Sequence, residues 1–337
     1  MAQFAPRAEC KILIGNKDKT ADFTPYNLNL TFEDHRAGES DRLTITLEDA
    51  PPTPDHTGPG LWLTPDWYPV KGAQVEAWMG YEGAPLLACG AFEIDEITIT
   101  DGDQGTTVAI TALATPNQKP VRTPRSASHD GKTLKEIAQD TAQRHGLTLV
   151  GEPPANKLPY TIQKNETDLA FLQRLADAAA AVFTVKGDKL IFHDTVALAK
   201  QPPIWKITRH DVSSATFSDK IKETAASYSH FDGDTQALIE TSEDGDKDAP
   251  PDKIKSRAPV KDQAQQQTAA KAKSRSAKAK GRTASLDGLD GNTSLVAGAL
   301  VEIAGYGVLD GLWAIETSTH TIDAGGGYTT ALELKLP

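Results

Sequence analysis

Apolar and polar side chains alternate with a period of two along much of the first third of the chain, as in strands with one buried face. Leu43, Ile45 and Leu47 alternate with Thr44, Thr46 and Glu48. Val75, Ala77 and Met79 alternate with Glu76 and Trp78, and Val108, Ile110 and Ala112 with Ala109 and Thr111. The run FEIDEITIT changes parity: Phe92 and Ile94 share one face, Ile97 and Ile99 the other. One extra residue near Asp95–Glu96 restores a single face, so a β-bulge is predicted there. Residues 50–69 are Pro-rich and predict a long excursion between strands.

The period then changes. After a breaker-rich segment, 115–131, Leu134, Ile137, Ala138, Thr141, Ala142 and His145 fall at helical spacing. Thr133 and Glu136 form a capping-box pattern at the start, and Gly146 supplies the stop. A second helix is predicted from about Thr167, with Leu169, Leu172, Leu175, Ala176 and Ala179 on one side and Asn165 or Thr167 as cap. VFTVKGDKLIFH follows as two short strands joined by Gly187–Asp188.

Strands resume weakly over 204–232, and an acidic, turn-prone stretch from Glu243 to Pro251 marks a flexible break. Residues 261–280, rich in Ala, Gln and Lys, predict a helix with almost no large apolar side chain. The last forty residues return to β, with Trp313 and Ile315 alternating with Ala314 and Glu316, and Leu332, Leu334 and Leu336 with Glu333 and Lys335. The order predicts a mainly β (α+β) protein of three parts: a first β-barrel to residue 118, an inserted α+β module over 119–200, and a second β-barrel over 201–337. The third part includes the acidic linker and the Lys/Ala-rich helix (about 243–285).

At 337 residues, 39% hydrophobic and 24% charged, the chain has the composition of a globular protein. A net charge of -11 opposes general nucleic-acid affinity, which needs surplus Lys and Arg. Cys10 and Cys89 read as reduced core thiols, with a single bridge between them as the alternative. The start of the chain shows no signal-peptide pattern and no apolar run is long enough to span a membrane, which predicts folding in the cytoplasm.

Candidate chemistry is sparse. HDGKT (129–133) holds the Gly-Lys-Thr of a phosphate loop, but Ser126 stands where the loop needs glycine, so a helix entrance is preferred. The eight histidines show no metal-ligand spacing; His193 and His320, on predicted strands, read as core-edge or interface residues. No Gly-x-Ser-x-Gly elbow occurs. Glu93, Asp95 and Glu96 cluster as acids of a hydrolase would, yet solvated strand faces explain them better. The basic run from Lys253 to Arg282 lacks interleaved aromatics, so a solvated helix is preferred to a DNA-facing one. No catalytic residue, cofactor or metal is assigned.

The middle and end of the chain carry a recognisable order of motifs. A helix with Leu134 and Ile137 ends in His145–Gly146–Leu147. A second helix reads Asp168–Leu169–x–Phe171–Leu172–x–x–Leu175, and a lysine–glycine hairpin turns at Gly187. Near the end come Asp310–Gly311–x–Trp313, Thr319–His320 and Gly327–Tyr328. This order resembles the phage late control protein D family over roughly 125–337, while the first 115 residues fit only by strand pattern. One departure is the run Ala178 to Ala181, where such proteins often carry a bulkier residue or a glycine.

The resemblance implies a non-enzymatic hub of a contractile phage tail or tail-like particle, similar to the base of type VI secretion spike proteins. It implies a homotrimer in which two similar barrels per chain imitate sixfold symmetry. Its partners would be a trimeric spike protein, a tail tube or tube-initiator protein and other baseplate proteins, with no membrane and no specific nucleic acid. It would assemble in the host cytoplasm and then travel in the virion or particle. A cell-wall hydrolase, or a cell-wall-binding module over 125–200, is the competing expectation.

Overall fold

The computed structural model describes residues 6–37, 39–49, 68–102, 105–114, 123–155, 157–158, 161–179, 181–220, 225–232, 237–243, 253–256, 270–271, 274, 281–323, 325 and 327–337. The excursion predicted over 50–69 and the acidic break after Glu243 lie almost wholly outside these. So does the helix predicted over 261–280, of which the described Ala270, Lys271 and Ser274 are helical.

The first third supplies strands β1 (Ala8–Ile14), β2 (Asn29–His35), β3 (Arg42–Asp49), β4 (Gln74–Tyr81), β5 (Leu87–Gly102) and β6 (Gly105–Ala114). Leu43, Ile45, Leu47, Val75, Ala77, Met79, Val108, Ile110 and Ala112 are all buried, as their alternation predicts. The bulge is where parity placed it: pairing of β5 with β6 shifts register between Ile94 and Glu96, leaving Asp95 as the extra residue.

The module follows, with helices α1 (Leu134–Arg144) and α2 (Asp168–Ala179) and the hairpin β7 (Ala181–Lys186) and β8 (Lys189–Asp194). Thr133 and Glu136 form the full capping box, and Gly146 ends α1 at a φ of 62°. Thr167 caps α2, its hydroxyl accepting from the Ala170 N–H at 3.2 Å. The buried face of α2 is Asp168, Phe171, Leu172, Leu175 and Ala176, with Leu169 only half-buried. Gly187, at a φ of 58°, makes the two-residue turn.

The last third supplies β9 (Trp205–Thr208), β10 (Ser214–Asp219), β11 (Arg282–Asp290), β12 (Leu300–Ala304), β13 (Gly311–Asp323) and β14 (Gly327–Lys335). A separate three-stranded sheet joins Ala225–Asp232, Ala237–Glu243 and Lys253–Ser256. The strand Lys253–Ser256 and the start of β11 fall in a stretch read from sequence as linker and helix. In β11 the alternation of Ala284 and Leu286 with Thr283 and Ser285 explains the strand.

First and last thirds are joined in a single 13-stranded sheet, ordered β10–β11–β14–β13–β2–β3–β6–β5–β4–β1 and then Lys17–Asp18, with β9 and β12 branching from β13. One edge of β13 pairs with β12 through Gly311–Ala314, and farther on with β2 through Thr317–Ile322. Between the two, pairing with β14 shifts register at Ile315/Thr317. Trp313 and Ile315 therefore face one apolar cluster, while Ser318, His320 and Ile322 turn the even positions inward. Ala314 is buried as well, between Leu300 and Lys335 on its two neighbours.

Among the described residues, three apolar clusters share no residue. One is built from β1–β6 with Ile322 and Tyr328, one from the module, and one from the last third around Trp313.

Candidate functional site: two polar clusters and a hairpin junction

The motif residues divide into apolar core and buried polar fastenings. Leu134, Ile137, Phe171, Leu172 and Leu175 fill the module core, with Leu147 and Leu169 against it. Asp168 stands at the first position of α2, where the helix dipole favours a carboxylate. Its oxygens accept from Arg144 Nη1 and His145 Nε2, each at 2.7 Å, and from Gln163 Nε2 at 2.8 Å. Burial pushes the Asp168 pKa up, but the donors from His145, Gln163 and Arg144 outweigh it and hold it below the usual carboxylate value. The end of α1 is thereby clasped to the start of α2. Arg144 and Gln163 were not singled out from sequence.

The second cluster joins Thr319–His320 to Gly327–Tyr328 across the β13–β14 turn. His320 is fully buried over Phe32, with ring centroids 6.2 Å apart. Its Nε2 lies 3.1 Å from the Leu295 carbonyl, which can only accept, so Nε2 carries the proton. Nδ1 then accepts from the Tyr328 hydroxyl at 2.7 Å. Burial lowers the His320 pKa to about 4, against a smaller upward pull from the Leu295 carbonyl and Asp34. Thr319 points to the half-exposed face. Gly291 donates to the Tyr328 carbonyl at 2.9 Å, and a Cβ there would clash with the Tyr328 ring. Gly291→Ala is expected to lower stability by about 1–3 kcal/mol in chemical denaturation, because a buried ring must move.

Asp310, Gly311 and Trp313 shape the turn into β13. Asp310 accepts from the Tyr306 N–H at 2.6 Å, Gly311 adopts a φ of 141°, and buried Trp313 donates Nε1–H to the Leu309 carbonyl at 3.1 Å.

The third feature is the junction between hairpin and sheet. Lys186, just before the Gly187 turn, pairs with Asp34 and with Asp41, the latter at 3.4 Å. Asp34 also accepts from the Ala297 N–H at 2.7 Å, and Asp41 from the His35 N–H at 2.8 Å. Burial raises the Asp41 pKa, and Lys186 opposes this. Beside the pair lies a cavity of about 500 Å³ lined by both sheet and hairpin, with Cys89, Arg36 and His193 among its walls. His193 is half-buried there, its pKa lowered by burial and then by Arg36. The sequence carried a signal for this site. Asp34 continues the buried parity of Leu30 and Phe32, and Asp41 that of Leu43, Ile45 and Leu47. A carboxylate on the apolar side of a strand requires a buried donor or cation.

Other candidates do not converge. Glu93, Asp95 and Glu96 are all exposed along β5. Thr133 of HDGKT serves as the α1 cap. Cys10 and Cys89 are free thiols. Among the described residues no group of three or more His, Cys, Asp or Glu side chains could hold a metal ion, and no helix is long and apolar enough to cross a membrane.

The fold and these clusters define a β scaffold whose polar motif residues fasten one part of the chain to another. A family model described as phage tail baseplate hub (GPD) matches residues 122–326, and the chain belongs to that family. The probable baseplate hub protein of Escherichia phage 186 is 30% identical over 206 residues, 59% of this chain and 49% of that protein. That of Escherichia phage P2 is 29% identical over 206 residues, 59% of this chain and 50% of that protein. The chain thus spans about half the length of the curated relatives it matches. The tail protein from Neisseria meningitidis MC58 shares the fold at a TM-score of 0.71 and 12% identity, over 98% of this chain and 96% of that one. The 43 kDa tail protein of prophage MuSo2 from Shewanella oneidensis does so at 0.70 and 12%, over 98% of both.

Proposed function

We propose that the chain is a structural, non-enzymatic subunit of a baseplate hub, assembling as a homotrimer that joins a hexameric tail tube to a trimeric spike. The observation that carries this reading is the family match across the module and most of the last third, on a chain whose two β regions are fused through β13. In this reading residues 1–118 and 201–337 form two similar barrels and 119–200 the inserted module. Three copies then form a ring of six barrels, with a hexameric tube on one side and a trimeric spike on the other. The fold likeness to an Escherichia coli type VI secretion component, described as similar to phage T4 gp27 and gp5, supports the same layout (TM-score 0.57, 12% identity, 98% of this chain and 76% of that one). Assembly takes place in the host cytoplasm with other baseplate proteins, and the hub then travels in the virion or tail-like particle.

Light scattering tests the proposal. The purified chain, alone or mixed with the spike and tube proteins of its own particle, is expected to give three times the monomer mass and to retain the spike. A strict monomer that captures neither partner overturns it.

A further inference from the structure

We infer that Lys186 is a releasable latch, holding the helix-and-hairpin module on the central sheet so that, when it lets go, the hairpin lifts and the cavity beneath it opens. The inference goes beyond the hub reading and stands whether or not the chain forms a trimer.

The hairpin has two faces. Phe183, Val185, Leu190 and Phe192 pack into the module core. Val182, Thr184, Lys186, Ile191 and His193, of opposite parity, line the cavity. The module core is complete in itself and shares no residue with the sheet's core. Where a rigid junction would close on a dry, close-packed seam, this one leaves a half-open pocket of about 500 Å³. The ion pairs described across it are both made by Lys186, to Asp34 and Asp41. Parts of a chain move relative to each other by default unless a large apolar interface holds them together.

The charges explain why the latch can release. When the hairpin is down, Asp34 and Asp41 are buried and Lys186 compensates them. When it lifts, water reaches all three groups and no charge is stranded. Removing the lysine therefore penalises only the closed state, which retains two uncompensated carboxylates. Arg36, Asp188, Lys189 and His193 share the cavity, but none has a described ion pair across the junction.

Cys89 reports the opening. It is buried, lies in the cavity wall under the hairpin, and is one of only two thiols in the chain. In the whole chain carrying Cys10→Ser, labelling of Cys89 by a disulfide reagent such as DTNB is expected to be slow. Adding Lys186→Met should speed it by about tenfold or more, with far-UV circular dichroism retained. Lys186→Arg keeps the charge and should label more slowly than Lys186→Met. Unchanged labelling in Lys186→Met overturns the inference, as do equal rates in the Met and Arg variants. So does labelling that quickens only where the circular dichroism of the whole chain is lost.

Discussion

Replacing Asp168 with alanine is expected to unfasten the helix-and-hairpin module while the long sheet stays folded. Asp168 is buried and holds three donors, from Arg144, His145 and Gln163. Removing one partner of a buried, hydrogen-bonded charge cluster costs about 3–5 kcal/mol. The lower end is expected here, because Arg144 reaches solvent. Asp168→Asn keeps the shape and an acceptor and should cost less. The measurement is selective, because all five tryptophans (Trp62, Trp67, Trp78, Trp205 and Trp313) lie outside 119–200. In Asp168→Ala the helical far-UV signal should melt earlier, with the tryptophan fluorescence transition in place. A coincident shift of both signals, or of neither, would contradict the separateness of the module core.

The second large effect is on pH dependence. His320 is neutral in the folded state, with a pKa of about 4 against 6.5 when unfolded. Between these values the unfolded chain binds a proton that the folded chain refuses, so stability is full above pH 6.5 and falls as pH drops towards 4. A shift of this size corresponds to about 3 kcal/mol. Asp168, whose folded pKa is depressed, loses its contribution at still lower pH, while the raised Asp41 acts in the opposite sense. The His320 share is isolated by comparison with His320→Gln, which should be less stable at neutral pH but flatter between pH 4 and 6.5. Parallel pH profiles for the two proteins would refute the assignment.

Much of the scaffold was legible because local rules and global packing agree there. The alternation in β3, β4 and β6, the parity change in β5, the capping box of α1 and the Gly187 turn each depend on neighbours in sequence. The polar clusters depend on distant residues, so sequence order named their members without pairing them. In sequence His145 and Asp168 stand as separate motif positions, as do His320 and Tyr328, yet a hydrogen bond links each pair. Lys186 stands in sequence only as the lysine of the lysine–glycine hairpin, because a lysine beside a hairpin turn is ordinarily solvated. The clue to its partners is the acidic residues on apolar parity, Asp34 and Asp41. The second parity change, from Trp313 and Ile315 to His320 and Ile322, has the same form as the one in β5. It is harder to read because the residues between, Glu316 to Thr319, are all polar.

The branching of β13 sets a timetable for synthesis. Thr31 and Thr321 meet across the sheet although 290 residues separate them. While a ribosome makes the intervening chain, β2 offers a bare row of amides and carbonyls to any passing strand, and the first core lacks Ile322 and Tyr328. The amino-terminal third must therefore wait, incomplete and prone to stray pairing, until residues 311–335 emerge to seal it.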